Sequence, residues 1–436
     1  MRRGALLVIL SGLSGCGRFG FDADPPTDQP PPPPVDGKVR VTIKHNGGDG
    51  TVVGPNGFTC TTGQCTLDLD PGTAINLRGL AAAGAWFAGW TGPCGGNFDC
   101  DVTVDADLTI IADFTPTPNR VFVTSTTTNG AFGGLAGGDA ICATRATAAG
   151  LTGTFIAYLS DSVTDAPSRL ATSRGWVRTD GAPFADAPSS FMTGEVVFPA
   201  RFDESGTDVG DAAVFTGTDF GVKTTDLCAD WTTADNQLDG SISDGKFAFD
   251  LFSSRKLGCG NEVRLLCVEI GRVQPVMTRP DTGKLAFATT DGWKPGGGRT
   301  SADAHCAAEA TLAGLSGTFL AAVGTTTESI ASRFKPDAIY RRTDGVRLLR
   351  DAGLWAASFY DVPPQVDQFG DLVSNDYWTG VNRFDALAQA SDNCNDWTDN
   401  SDTLGGYMHW TTNSDLRSAW KTDPCDTVVP LLCLEN

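Results

Sequence analysis

The residues with most chemical potential in this chain are two runs of acidic side chains. One is "DWTTADNQLDG", with Asp230, Asp235 and Asp239; the other is "DWTDNSDTLGG", with Asp396, Asp399 and Asp402. Oxygen donors at alternating positions suit calcium, so Asp235, Asp239, Asp399 and Asp402 are the candidate metal ligands. "DNQLDG" partly matches a calcium-binding loop, but Lys246 stands where the distal glutamate belongs, and only one run has it. Aspartates that form solvated turns explain both runs as well. A second polar motif is "RTDG", at Arg178 to Gly181 and again at Arg342 to Gly345. It offers Arg178, Asp180, Arg342 and Asp344 as ligand contacts, with a plain Asp-Gly turn as the alternative. The three histidines, His45, His305 and His409, lie far apart in the sequence. His409 sits in "GGYMHWTTN", read as a loop, and is the one that could touch a ligand; Trp420 is a further candidate. No Ser/His/Asp set and no phosphate-cradling glycine loop is evident. The chain reads as a binding protein, not an enzyme, and calcium is the only cofactor its residues suggest.

What must position these residues is a domain written twice. Cys142, Cys228, Cys259 and Cys267 are separated by 86, 31 and 8 positions; Cys306, Cys394, Cys425 and Cys433 by 88, 31 and 8. Other landmarks keep the same register, shifted by 164 to 166 positions. "DAIC" matches "DAHC", "WVRTDG" matches "YRRTDG", "CADW" matches "CNDW" and "LLCVE" matches "LLCLE". A unit this long owns its own core, so this is a duplication and not a solenoid. Each copy opens with a short strand, "NRVFVTSTT" or "KLAFATT". Ala-rich segments around Cys142 and Cys306 predict helices that Gly-Leu-x-Gly stops. Buried strands follow at "TGTFIAYLS" and "SGTFLAAVG", then a loop-rich middle and a last strand. Trp231 and Trp397 follow their cysteines identically and are expected in the core.

Residues 38–117 alternate like β-strands, with Gly and Pro between them. Their cysteines are close in sequence, which predicts Cys60–Cys65 and Cys94–Cys100. Before them Pro30 to Pro34 form an unbroken run. This is a stalk: residues 22–37, as an extended polyproline helix, reach roughly 50 Å. The first fifteen residues join two arginines to a short apolar run, the pattern of a secretion signal. Even groups of cysteines in an exported chain read as disulfide frameworks. The net charge of −20 excludes nucleic acid and anionic membranes as electrostatic partners, because both need Lys and Arg.

Several segments resemble known families. Leu13-Ser14-Gly15-Cys16 resembles the lipobox of bacterial lipoproteins, which implies a signal peptide over 1–15, lipid on Cys16, and a lipidated stalk over 16–37. Residue 17 is glycine and not aspartate, which within that family points to the outer membrane or cell surface. "WFAGWTGPCGGNFDCDVTVDADLTIIADF" resembles the small all-β repeat of bacterial surface proteins related to internalin B repeats. That family mostly supplies spacers; Phe87 and Trp90 are expected in its core. "GLAGGDAICATRATAAGLTGTFIAYLS", "CADW" and "LLCLEN" resemble endostatin-type domains and an uncharacterised bacterial lipoprotein family with the C-type-lectin-like fold, over residues 120–270 and 283–436. Four cysteines allow three pairings. The resemblance implies the nested one: Cys142–Cys267, Cys228–Cys259, Cys306–Cys433 and Cys394–Cys425. The sugar-binding members hold calcium with a Glu-Pro-Asn or Gln-Pro-Asp loop and a Trp-Asn-Asp triplet before the third cysteine. Here "SSRKLG" precedes Cys259, and only Trp420 and Asp423 match the triplet before Cys425.

The expected protein is therefore α+β: two tandem C-type-lectin-like domains preceded by a small all-β domain and a proline-rich stalk. Its expected role is adhesion or binding at the cell surface, with a glycan or extracellular protein as ligand. A structural envelope protein and an extracellular enzyme on the same fold are the rivals. Cells fed a labelled fatty acid should tag the wild-type chain and not Cys16→Ala; equal label on both would refute the anchor.

Overall fold

The computed structural model describes residues 37–170, 172–193, 196–210, 213–244, 255–336, 338–349, 360–411 and 421–436. The expected signal peptide, Cys16, the stalk up to residue 36, Lys246 and Trp420 lie outside the described residues. The fold is α+β, with many short strands and two long helices.

Residues 39–116 build two four-stranded sheets. One runs in the order Gln64–Leu69, Val39–Gly47, Leu108–Pro116, Ala85–Thr91; the other Thr59–Cys60, Gly50–Val53, Thr73–Ala81, Cys100–Val104. Alternation sends Val41, Ile43, Ile75, Leu77, Ile110 and Ala112 inward, as the period of a strand requires. Phe87 and Trp90 belong to this core, edge to face at 4.9 Å. They form no surface patch.

Both repeats grow from the same elements. Helix α1 spans Gly134–Ala148 and α2 spans Gly298–Leu312. Each buries a stripe at four-residue spacing: Gly138, Cys142, Ala146 and Ala302, Cys306, Ala310. Small residues there let the helix lie close on its sheet. Both helices end alike. Gly150 (φ 71°) and Gly314 (φ 69°) turn left-handed, while Leu151 and Leu315 donate N–H back to Ala146 and Ala310. This closure needs glycine at the turn, which explains the Gly-Leu-x-Gly signal.

The first repeat's sheet orders Pro183–Ala185, Trp176–Arg178, Asn119–Val123, Arg264–Ile270, Ala213–Phe215, Asp239–Asp244 and Arg255–Gly258, with Thr154–Ala157 also on Arg264–Ile270. The second repeats its centre with Phe319–Ala321, Leu432–Glu435, Lys284–Ala288, Tyr340–Arg342 and Arg347–Leu349. Asp376–Trp378, Gly405–Trp410 and Lys421–Pro424 form a separate ladder, joined to the end of the sheet by the Trp378–Leu431 bridge.

Six cysteine pairs stand at disulfide distance: Cys60–Cys65, Cys94–Cys100, Cys142–Cys267, Cys228–Cys259, Cys306–Cys433 and Cys394–Cys425. In each repeat one pair ties the helix to the last strand and the other clips the loop region. By loop-closure entropy the long pairs contribute about 5 kcal/mol and the shorter clips about 4. Six disulfides suit an extracellular or other oxidising compartment. Among the described residues no helix is long and apolar enough to cross a membrane. Peptide mapping without reductant should return these six pairs; a peptide joining Cys142 to Cys228 would contradict the framework.

Candidate functional site

The loops of both repeats hang on one local device. Cys228 to Trp231 have φ of 48°, 51°, 54° and 62°; Cys394 to Trp397 have 55°, 51°, 52° and 67°. Four consecutive non-glycine residues in the left-handed region cost about 1–2 kcal/mol each, so neighbours must hold them there. The disulfide anchors the first residue. The tryptophan is fully buried, and its Nε1 donates to Ser160 O (2.7 Å) in one repeat and to Gly324 O (2.9 Å) in the other. The aspartate between them clamps the facing loop. Asp230 accepts from Ser162 N and Oγ, and Asp396 from Thr326 N and Oγ1, all at 2.7–2.8 Å. Burial pushes the Asp396 carboxyl up. The bonds from Thr326 and Asn393 and the charge of Arg299 outweigh burial and hold it below its usual range.

The candidate metal ligands do not converge. Asp235 Oδ1 accepts from Gln237 N, and Asp399 Oδ1 accepts from Ser401 N and Oγ. Those bonds hold Asp399 below the usual carboxylate range. Asp239 opens a strand and Asp402 lies in a bend. Among the described residues no group of three His, Cys, Asp or Glu is placed to hold a metal ion. At Asp235 and Asp399 the geometry is that of turns capped by their own carboxylates, and it lends no support to the calcium reading of Asp235, Asp239, Asp399 and Asp402.

The arginines of the two RTDG motifs are also internal. Arg178 and Arg342 are 2 % and 3 % exposed. Each grips its own aspartate through Nε and Nη2, at 2.6–3.1 Å, and donates Nη1 to a proline carbonyl, Pro199 or Pro363. Asp180 and Asp344 then accept from the N–H of Ala182 and Val346. Both arginines are thus enclosed in a turn that docks, while Asp180 is half-buried and lines the cleft described below together with Arg178, and Asp344 is exposed. The closing glycine offers its carbonyl outward: Gly181 O takes Trp86 Nε1 of the β unit at 2.8 Å, and Gly345 O takes Asp281 N of the linker.

The loop reading of His409 is corrected. It lies within the strand Gly405–Trp410 at 1 % exposure, its Nε2 facing Val381 O at 3.1 Å and its ring stacked on Tyr377. His45 stacks on Phe114, and His305 faces Asp291 O. A cleft of about 500 Å³ opens between the β unit and the first repeat. Its Thr117 and Thr179 hydroxyls donate to backbone carbonyls and its Arg120 to Glu269. These groups support the walls, and no nucleophile lies beside a base there.

Sequence reasoning passed over one surface feature. Val163 is 81 %, Val222 65 % and Met192 45 % exposed, on three separate segments that touch. Lys223 donates its N–H to Asp165 and its Nζ to Val163 O. A Cβ on Gly221 would meet Met192 and Pro167. At the hairpin tip Phe220 has φ 44°, a costly conformation for an aromatic residue. The second repeat has thirteen residues between Gly380 and Cys394 where the first has ten between Gly217 and Cys228. There Val381 and Phe384 turn inward, leaving Leu387 exposed. Alternating patterns find strands, but not single apolar residues exposed on adjoining loop segments.

Compared with protein-family models and with curated proteins, the chain matches none.

Asp396→Asn should lower stability at pH 7 by about 1–2 kcal/mol, since Thr326 loses a charged acceptor. A carboxyl held low stabilises the fold above its unfolded pKa near 4, and this contribution disappears as pH falls through the folded value. The difference between wild type and variant in denaturant midpoint should therefore shrink below about pH 4. A difference independent of pH would refute the clamp.

Proposed function

We propose that this chain is an exported binding protein of the bacterial cell surface, held by lipid on Cys16 and raised on the proline stalk. In this reading its two repeats are C-type-lectin-like units and its β unit a spacer that also braces them. The nested disulfide pairs and the long loops over a small mixed sheet support the lectin-like reading.

The observation that carries the binding reading is the tip formed by Val163, Met192 and Val222. Scattered apolar residues on a surface need no explanation, but three exposed on adjoining segments do. Exposed aliphatic side chains of this kind suit an extracellular protein with an apolar patch better than a bare glycan. Two repeats that differ at this position would not bind the same ligand twice, so the reading does not depend on avidity.

A panel of glycans and extracellular matrix proteins, screened with calcium and then with chelator, tests the reading. The full-length chain should retain a protein ligand in chelator. The triple variant Val163→Ser, Met192→Ser, Val222→Ser should weaken that binding at least tenfold, about 1.4 kcal/mol. A ligand held equally by the variant would exclude the tip, and a panel without any ligand would contradict the binding reading.

A further inference from the structure

We propose that the two repeats form an internal two-fold dimer, in which the face each repeat presents is built to take a second copy of the same unit. The observation is reciprocity. In an isologous interface the patch that one partner offers is the patch it receives. With the shift of 164, Arg178, Asp180, Ala182, Val196, Val197, Phe198, Arg201, Gly206 and Asp208 correspond to Arg342, Asp344, Val346, Tyr360, Asp361, Val362, Gln365, Gly370 and Leu372. Asp203 and Asp367 confirm that register, since each caps the N–H groups two and four residues on.

The contacts obey the correspondence. Arg201 of the first repeat donates to Tyr360 O of the second, is paired with Asp208, and feels the charges of Asp361, Arg178 and Asp180. Reciprocally, Val196 and Val197 of the first repeat line a cavity with Arg342, Asp344, Gly370 and Leu372 of the second. These are the counterparts, with the roles exchanged. Between the two contacts, Ala182 and Phe198 share one buried cluster with their own counterparts, Val346 and Val362. The halves have since diverged in a complementary way. On one side Tyr360 and Asp361 meet the cation Arg201. On the other, valines and Leu372 leave about 250 Å³ unfilled.

No disulfide crosses this interface; each of the six lies within one unit. The linker after Gly271 is then a tether and not the cause of association. The β unit sits across the junction, with Phe98 against Phe198 and Asp113 paired to Arg279. Any external partner must therefore reach the repeats outside this shared face.

The test uses the full-length chain with a site-specific protease sequence inserted after Met277, which is 68 % exposed. Cut under non-reducing conditions and passed over a sizing column at about 1 µM, the parts should elute together, as a pair with a Kd below that value would. The β unit also touches both parts, so two variants separate its role. Arg279→Ala, which removes the bonds to Asp113 and Thr91 and leaves that from Gly96 N to Pro280 O, should leave the cut parts together. Val197→Glu, a partly buried change on the shared face, should release two fragments, each keeping its near-ultraviolet circular dichroism. Separation of the cut parent, or release by Arg279→Ala and not by Val197→Glu, would overturn the proposal.

Discussion

A chain with this much loop must find acceptors for backbone N–H groups that no ladder takes up. Here the acceptor is repeatedly an aspartate. Asp161 caps Val163 and Thr164, Asp203 caps Ser205 and Thr207, and Asp367 caps Phe369 and Asp371. Asp139 and Asp303 hold the strands at Ala157 and Ala321, each in turn gripped by an arginine, Arg169 or Arg333. Asp230 and Asp396 clamp the loop over the left-handed turn. Much of the charge of −20 is thus part of the fold's internal bonding, and not a field displayed to attract a cation.

The disulfides and the carboxylates divide the labour. The long disulfide fixes the helix against the last strand, and the short one pins the start of a turn that non-glycine residues otherwise avoid. The aspartate in that turn then carries order outward to a loop about seventy positions earlier in the chain. The RTDG turn does the same between units, with its arginine closing the turn from inside and its glycine carbonyl receiving a donor from a neighbour. Three units held this way leave the outer loop ends as the surface free to vary, and that is where the two repeats differ.

The duplication, both helices and their glycine stops were legible because each rests on local rules: cysteine spacing, alanine-rich stretches and a left-handed glycine. The buried tryptophans were legible for the same reason. The left-handed turns were not. "CADW" and "CNDW" contain no glycine, and only tertiary partners make that conformation affordable. His409 was read as a loop residue, yet it lies in the strand Gly405–Trp410 together with the two glycines before it. The arginines of RTDG have the composition of a surface turn, and nothing local says that a proline carbonyl 21 residues on will enclose them. The meeting of like faces needs both repeats in space at once.

The most direct measurement is the thermal unfolding of the disulfide-intact protein at pH 7, with about 10 mM calcium and then with chelator. That concentration exceeds the affinity of weak extracellular calcium sites by about tenfold, so a genuine site would add about 1.4 kcal/mol. If the aspartates serve their own backbone, the two unfolding curves coincide. A reproducible rise of about 3 °C or more with calcium would mean that these carboxylates converge on a cation, and the account of the loops would fail.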